Sequence, residues 1–196
     1  KSYEKVIAIN PDFAEAHNNL GIALKELSQL DDAVKSYEKA IAIKPDYIEA
    51  HNNLGNALKD LGQIDRAIKY LEKTLTIKPD YAEAHNNLGI ILMDLGQLDH
   101  AIKHYEKAIS IKADYTSAHL NLSYLKKYTA NDPQIATMQS LLSSDTITQE
   151  GRIDLCFALA KVNENLDNQD ELFKYLNEGN QLHKQELNYS FDRQQK

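Results

Sequence analysis

The sequence predicts an all-α protein of stacked helical hairpins, and three observations predict it. The stretch Lys78-Pro-Asp-Tyr-Ala-Glu-Ala-His-Asn-Asn-Leu-Gly89 recurs almost unchanged at Lys44 to Gly55 and at Asn10 to Gly21, always 34 residues apart. Apolar and small residues return at helical spacing inside each period, as in Ala16, Leu20, Ala23, Leu24 and Leu27. Pro11, Pro45 and Pro79 interrupt every period at one place, and Ser28, Gly62 or Gly96 stands where a first helix should end. A chain repeated in this way packs each unit on its neighbours.

The elements follow in order. Residues 1–13 match Lys35 to Tyr47 and read as the second helix of a repeat whose first helix is missing. Its Val6 and Ile9 would offer an apolar face to another copy, so end-to-end self-association is one expectation. Complete units are expected at 14–47, 48–81 and 82–115. In their second helices Ala33, Ala67 and Ala101 hold one small position, and Ala40, Thr74 and Ala108 another. These are expected to face Gly21, Gly55 and Gly89, with Tyr37, Leu71 and Tyr105 filling the wider gap. Asp12, Asp46 and Asp80 stand three residues before Glu15, Glu49 and Glu83, the spacing of a capping box.

The fourth boundary departs from the pattern: Ala113 replaces the proline, Ser117 the glutamate and Ser123 the glycine. Residues 116–143 therefore read as a degenerate hairpin whose second helix runs through Ile135, Met138, Leu141 and Leu142. Residues 144–196 read as a polar connector, then a cryptic hairpin of Ile153–Asn165 and Gln169–Glu186 with Asp167-Asn168 in its turn.

The Leu-Gly, Ala, aromatic, Ala and Pro positions over residues 1–115 resemble those of tetratricopeptide (TPR) repeats. The resemblance implies a right-handed superhelical solenoid whose first helices line a concave groove. Residues 125–196 are similar to the segment joining repeats to the catalytic domain in bacterial TPR sulfotransferases. That likeness rests on Leu125-Lys-Lys-Tyr-Thr129, Pro133, Leu155, Phe157-Ala-Leu159, Leu166, Phe173, Glu178-Gly-Asn180 and Glu186-Leu-Asn-Tyr189. It implies an accessory, acceptor-binding role, with the catalytic domain outside this chain.

Composition narrows the function. A net charge of −7 with acids and bases interleaved opposes a nucleic-acid binder, and no apolar run is long enough to span a bilayer. One cysteine, Cys156, excludes an internal disulfide and fits a reducing, cytoplasmic setting. It lies in an apolar run beside Phe157 and reads as a small hydrophobe. The seven glycines are scattered, so no phosphate-cradling loop is present. No catalytic site and no cofactor are expected in this chain. His17, His51, His85 and His119 recur at the repeat period, which points to packing. His100 and His104 sit four apart on one helix, the spacing of a two-ligand metal site, with only packing as the plainer reading.

The asparagines are the main functional candidates. Asn18-Asn19, Asn52-Asn53 and Asn86-Asn87 lie in the first helices, with Asn56 one turn beyond and Asn121 continuing the column. A primary amide both donates and accepts, so it can pair with a peptide bond whatever the side chain. The column at Asn19, Asn53, Asn87 and Asn121 resembles the asparagine ladder in the repeats of O-linked N-acetylglucosamine transferase, which holds extended polypeptide. Bonding to the adjacent helix is the structural alternative. Around it, Lys25, Lys59, Glu15, Glu49 and Glu83 are expected near the groove, with acids in excess. The expectation is a protein-binding scaffold for an extended, neutral or basic peptide, with no nucleic acid and no membrane as partner.

Overall fold

The structure, a computed structural model, describes residues 2–194 and the side chains of all of them except 2, 4 and 187–194. Leu187, Asn188 and Tyr189, which contribute to the C-terminal resemblance, thus lie outside the described side chains. Among the described residues there are eleven α-helices and no strand. They divide into two compact units at Gln97 and Leu98, inside the third complete repeat.

The first unit holds α1 (Ser2–Ile9), α2 (Ala14–Glu26), α3 (Leu30–Ile43), α4 (Ile48–Asp60), α5 (Ile64–Ile77) and α6 (Ala82–Asp94). Each helix packs on the next, and α4 also meets α2 and α6. The turns that close the first helices share one geometry. Ser28, Gly62 and Gly96 have φ of 60°, 73° and 73°. Beyond them the amides of Gln29, Gln63 and Gln97 donate to the carbonyls of Leu24, Leu58 and Leu92 at 2.9, 2.9 and 2.8 Å, which satisfies carbonyls that the helix end leaves open. A Cβ at Gly62 or Gly96 would meet open space, so glycine is used there only for its backbone. Ser28 bears the strain that its counterparts avoid. Ser28→Gly is therefore expected to stabilise the chain by about 1 kcal/mol, read as a higher urea midpoint with unchanged slope.

The starts of these helices differ from the capping-box expectation. The caps of α2, α4 and α6 are Phe13, Tyr47 and Tyr81, each without a side-chain cap bond. Asp12, Asp46 and Asp80 fall one residue too early, so Glu15, Glu49 and Glu83 are simply acids in a first helical turn, where the helix dipole favours them. The turns before them are held instead by histidine. His17, His51 and His85 place Nε2 at 2.8, 2.8 and 3.0 Å from the carbonyl oxygens of Pro11, Pro45 and Pro79. That bond needs the Nε2–H tautomer and accounts for the periodic histidines.

The core of the first unit joins Ala33, Tyr37, Leu54, Ala57, Leu58, Ala67, Leu71, Ala84, Leu88 and Ile91. Its glycines meet the bulky residue of the hairpin first, and Gly55 also faces the backbone of Ala67, as the spacing suggested. A Cβ on Gly21 would lie 2.6 Å from Cε1 of Tyr37, and one on Gly55 would lie 2.7 Å from Cγ of Leu71. Glycine clears room for the largest side chain of the hairpin, and the alanines accompany it. Burial pushes the Tyr37 phenol up to about 12, with a smaller contribution from Glu26.

The second unit holds α7 (Leu98–Ile111), α8 (Thr116–Ser123), α9 (Pro133–Leu142), α10 (Gln149–Asn165) and α11 (Gln169–Gln194). Asp132 caps α9 by accepting from the Gln134 amide at 3.0 Å, with Pro133 in the first helical position. Thr148 caps α10 through the Gly151 amide at 3.1 Å, so this helix starts four residues before the expected Ile153. α10 packs on α8, α9 and α11. Asp167 takes φ of 55°, and the Asn168 amide donates to the Asn163 carbonyl at 3.0 Å, repeating the closing bond of the earlier turns. Tyr128, Met138, Leu155, Ala158, Leu159, Val162 and Tyr175 form the core. Tyr128, Leu155, Ala158 and Leu159, which also carry the C-terminal resemblance, are thus packing residues here. Cys156 is fully buried, and burial pushes its thiol up to about 12, which leaves it unreactive at neutral pH.

His119 is fully buried at the foot of α8. Its Nε2 lies 2.9 Å from the Ala113 carbonyl, and Nδ1 lies 3.1 Å from the Gln134 amide nitrogen. Gln134 also accepts from the Tyr128 hydroxyl at 3.2 Å and from Lys126 at 3.3 Å. The ring must be neutral to donate through Nε2 and accept through Nδ1. Burial lowers its pKa, partly offset by the bond to Ala113. The unfolded chain therefore binds the proton more readily, and stability present above about pH 6.5 is lost as pH falls below it toward the lower folded value. Protection factors of the α9 amides, corrected for the intrinsic pH dependence of exchange, are expected to fall as pH drops below about 6.5 in the wild type, and His119→Gln should flatten that dependence.

Candidate functional site

The first unit sets the asparagines on the facing helices α2, α4 and α6, in two layers. Asn18, Asn52 and Asn86 are buried, whereas Asn19, Asn53, Asn56 and Asn87 are half-buried. Adjacent residues on a helix point about 100° apart, so the two members of each pair cannot share a face. The amide nitrogen of Asn53 donates to Oδ1 of Asn18, and that of Asn87 to Oδ1 of Asn52, both at 3.1 Å. Asn53 and Asn87 are thus each held by the inner amide of the preceding repeat. Asn18, Asn52 and Asn86 are buried between helices, whereas they were expected at the groove surface. These two bonds leave one donor hydrogen and the carbonyl oxygen of Asn53 and of Asn87 for further bonding.

The lysines of this face are engaged. Asp60 lies 3.1 Å from Lys25 and 3.2 Å from Lys59, all three partly shielded from solvent. Neither lysine is poised to clamp a terminal carboxylate. Glu15 and Glu49 are exposed and Glu83 half-buried, and none of the three forms an ion pair among the described residues.

Two groups that the sequence reading passed over stand with them. Burial raises the Tyr47 pKa, followed by the charges of Glu15 and Glu49. Burial likewise pushes Tyr81 up to about 12, followed by Glu83 and Glu49. Each phenol therefore lies within reach of two glutamates from successive repeats. Lys44 sits 4.9 Å from the Tyr47 ring centre and Lys78 5.5 Å from that of Tyr81, a cation–π arrangement that leaves the carboxylates unpaired. The signal was available in the recurring aromatic at Phe13, Tyr47, Tyr81 and Tyr115.

The remaining candidates belong to the second unit. Asn121 is half-buried on α8. His100 is exposed and His104 half-buried on α7. Among the described residues no group of three or more His, Cys, Asp or Glu is arranged to hold a metal ion, so this pair gains no third ligand. No described helix is long and apolar enough to cross a membrane.

Comparison with known proteins places the repeats. Residues 2–35 and 46–114 match family profiles described as tetratricopeptide repeat, and residues 23–62 match one described as TPR repeat. An uncharacterized protein of Aquifex aeolicus (strain VF5) is 34% identical over 67 residues, which cover 34% of this chain and 9% of that protein. The chain therefore spans a small part of that relative's length. The solved structure of PilF of Pseudomonas aeruginosa matches with a TM-score of 0.67 at 18% identity, over 99% of this chain and 87% of that one. YrrB, a TPR protein with an unusual peptide-binding site, matches with a TM-score of 0.61 at 18% identity, over 93% and 92% of the two chains. At these identities the likeness is one of fold. Helical hairpins closed by a shared turn, in register with three family profiles, make this chain a tetratricopeptide-repeat protein over residues 2–114.

Proposed function

We propose that this chain is a peptide-binding scaffold, and that α2, α4 and α6 of the first unit hold an extended polypeptide through Asn19, Asn53 and Asn87. The observation that carries the reading is the pair of amide–amide bonds, Asn53 to Asn18 and Asn87 to Asn52, which repeat one geometry along successive helices. Bound amides lose little rotamer freedom when a ligand arrives, so a pre-oriented column binds better than free side chains would. With facing helices about 10 Å apart and an extended chain advancing about 3.3 Å per residue, one amide meets about every third residue of the ligand.

Charge adds direction. Among the described residues Glu15, Glu49 and Glu83 form no ion pair, while Lys25 and Lys59 share Asp60. A neutral or basic peptide therefore complements this face better than an acidic one. YrrB, which shares the fold, is described as having a peptide-binding site. The test is calorimetric titration with the tightest peptide selected from an unstructured hexapeptide library, against the wild type and a variant with Asn19, Asn53 and Asn87 changed to Ala. Retained affinity in the variant would sink the ladder, and selection of acidic peptides would sink the charge argument.

A further inference from the structure

The second unit contains a cavity that the peptide column does not use. It has a volume of about 250 Å³ and is lined by Lys112, Tyr115, Thr116, Ser117, Thr148 and Asp154, among others. That is below the roughly 300 to 1,000 Å³ of sites that enclose a whole small molecule, and suits one side chain.

Its chemistry is set by Asp154, which reaches in from α10. The Thr116 hydroxyl donates to Oδ2 at 2.9 Å and the Ser117 hydroxyl donates to the same oxygen at 3.1 Å. Both donors are spent on one oxygen, so Oδ1 keeps its lone pairs for another donor. Ser117 stands where earlier repeats carry glutamate, so the fourth repeat receives its carboxylate from the following helix instead of from its own first turn.

Among the described residues the carboxylate makes no ion pair. Arg152, two residues away, gives its guanidinium to the carbonyls of Leu142 and Ser144, both at 2.8 Å. Lys112 lies 5.4 Å from the centre of the Tyr115 ring, as Lys44 and Lys78 do over their own tyrosines, and makes no ion pair with Asp154. Asp114 and Glu150 also line the cavity, so its lining carries three acidic residues and one lysine. Burial holds the Asp154 pKa above its ordinary value, against the lowering effect of the two hydroxyls, and the charge of Glu186 adds to the rise.

The identity of that partner follows by elimination. An anion would meet the carboxylates, and the Gly151 amide at the start of α10 is already taken by Thr148. A metal ion needs three or more converging ligands, which no described group supplies. A cation that carries its own N–H donors meets both conditions.

We propose that this cavity binds a single cationic side chain of a polypeptide partner, a lysine ammonium or an arginine guanidinium, with Asp154 as its carboxylate acceptor. The pocket lies wholly in the second unit and does not depend on the asparagine column. The test is a heteronuclear NMR titration of the whole chain with acetyl-lysine amide and with acetyl-arginine amide, using acetyl-norleucine amide as the uncharged control. Saturable shifts are expected at the amides of Thr116, Ser117 and Gly151 with at least one cationic probe, and none with norleucine. Asp154→Asn keeps the shape and should weaken binding about tenfold, the usual scale for losing a charge-assisted hydrogen bond. Glu150→Gln provides a second variant, expected to weaken binding less, should Asp154→Asn fail to give the wild-type fold by circular dichroism. Equal shifts with norleucine, absence of saturation by either cation, or unchanged affinity in the folded variants would each overturn the proposal.

Discussion

Changing Asn19, Asn53 and Asn87 together to alanine is expected to reduce affinity for the selected peptide by about a hundredfold. Each substitution removes one amide, and a neutral hydrogen bond contributes about 1 kcal/mol net, so three give about 3 kcal/mol, or roughly two decades. The complication is stability. Asn53→Ala and Asn87→Ala take the donors from the buried Asn18 and Asn52 carbonyls, and an orphaned buried acceptor costs about 1 to 3 kcal/mol. Asn19 separates the two effects because it makes no amide–amide bond among the described residues. Asn19→Ala alone should lower affinity about fivefold while leaving the urea midpoint unchanged. If Asn19→Ala has no effect on binding while the triple variant loses both folding and capture, the asparagines only join helices and the ladder is wrong.

That outcome is a real alternative because of what could and could not be seen in the letters. The period, the hairpins and the closing turns were legible, since each follows from spacing and backbone preference: Gly62 and Gly96 mark left-handed positions, and Asp167 does so without glycine. The period of the histidines marks them as architectural but does not show their partner. A bond to the carbonyl of the preceding turn depends on a chain reversal that spacing alone does not describe. The paired asparagines showed the same limit. Sequence marks both members equally, while a turn of about 100° on the helix buries Asn18, Asn52 and Asn86 and leaves their neighbours at the surface. The pocket around Asp154 lay further out of reach, because it joins Thr116 and Ser117 to a residue 37 or more positions away, outside any repeat register. The capping register was missed by a single residue, and that residue was the tyrosine that faces the glutamates.

Glycine at the helix crossing supports the second large prediction, in which two effects of opposite sign compete. Alanine exceeds glycine in helix propensity by about 1 kcal/mol, so Gly21→Ala and Gly55→Ala in the middle of α2 and α4 would stabilise an isolated helix. In the packed hairpin the added carbon would stand 2.6 Å from Cε1, 2.7 Å from Cδ1 and 2.9 Å from Cζ of Tyr37. The Tyr37 ring is fully enclosed and cannot swing away. At Gly55 the new carbon would meet Leu71 and also the Ala67 carbonyl oxygen at 3.3 Å, which belongs to the backbone. Overpacking of this kind costs about 1 to 3 kcal/mol per site, so against the propensity gain the double substitution is expected to lose up to about 4 kcal/mol in urea unfolding. A double-mutant cycle shows which effect governs. Tyr37→Ala alone should cost about 3 to 5 kcal/mol, but in that background Gly21→Ala should become neutral or stabilising, because the clash is gone and the propensity gain remains. A destabilisation by Gly21→Ala that persists without the Tyr37 ring would mean that the glycine serves something other than close approach.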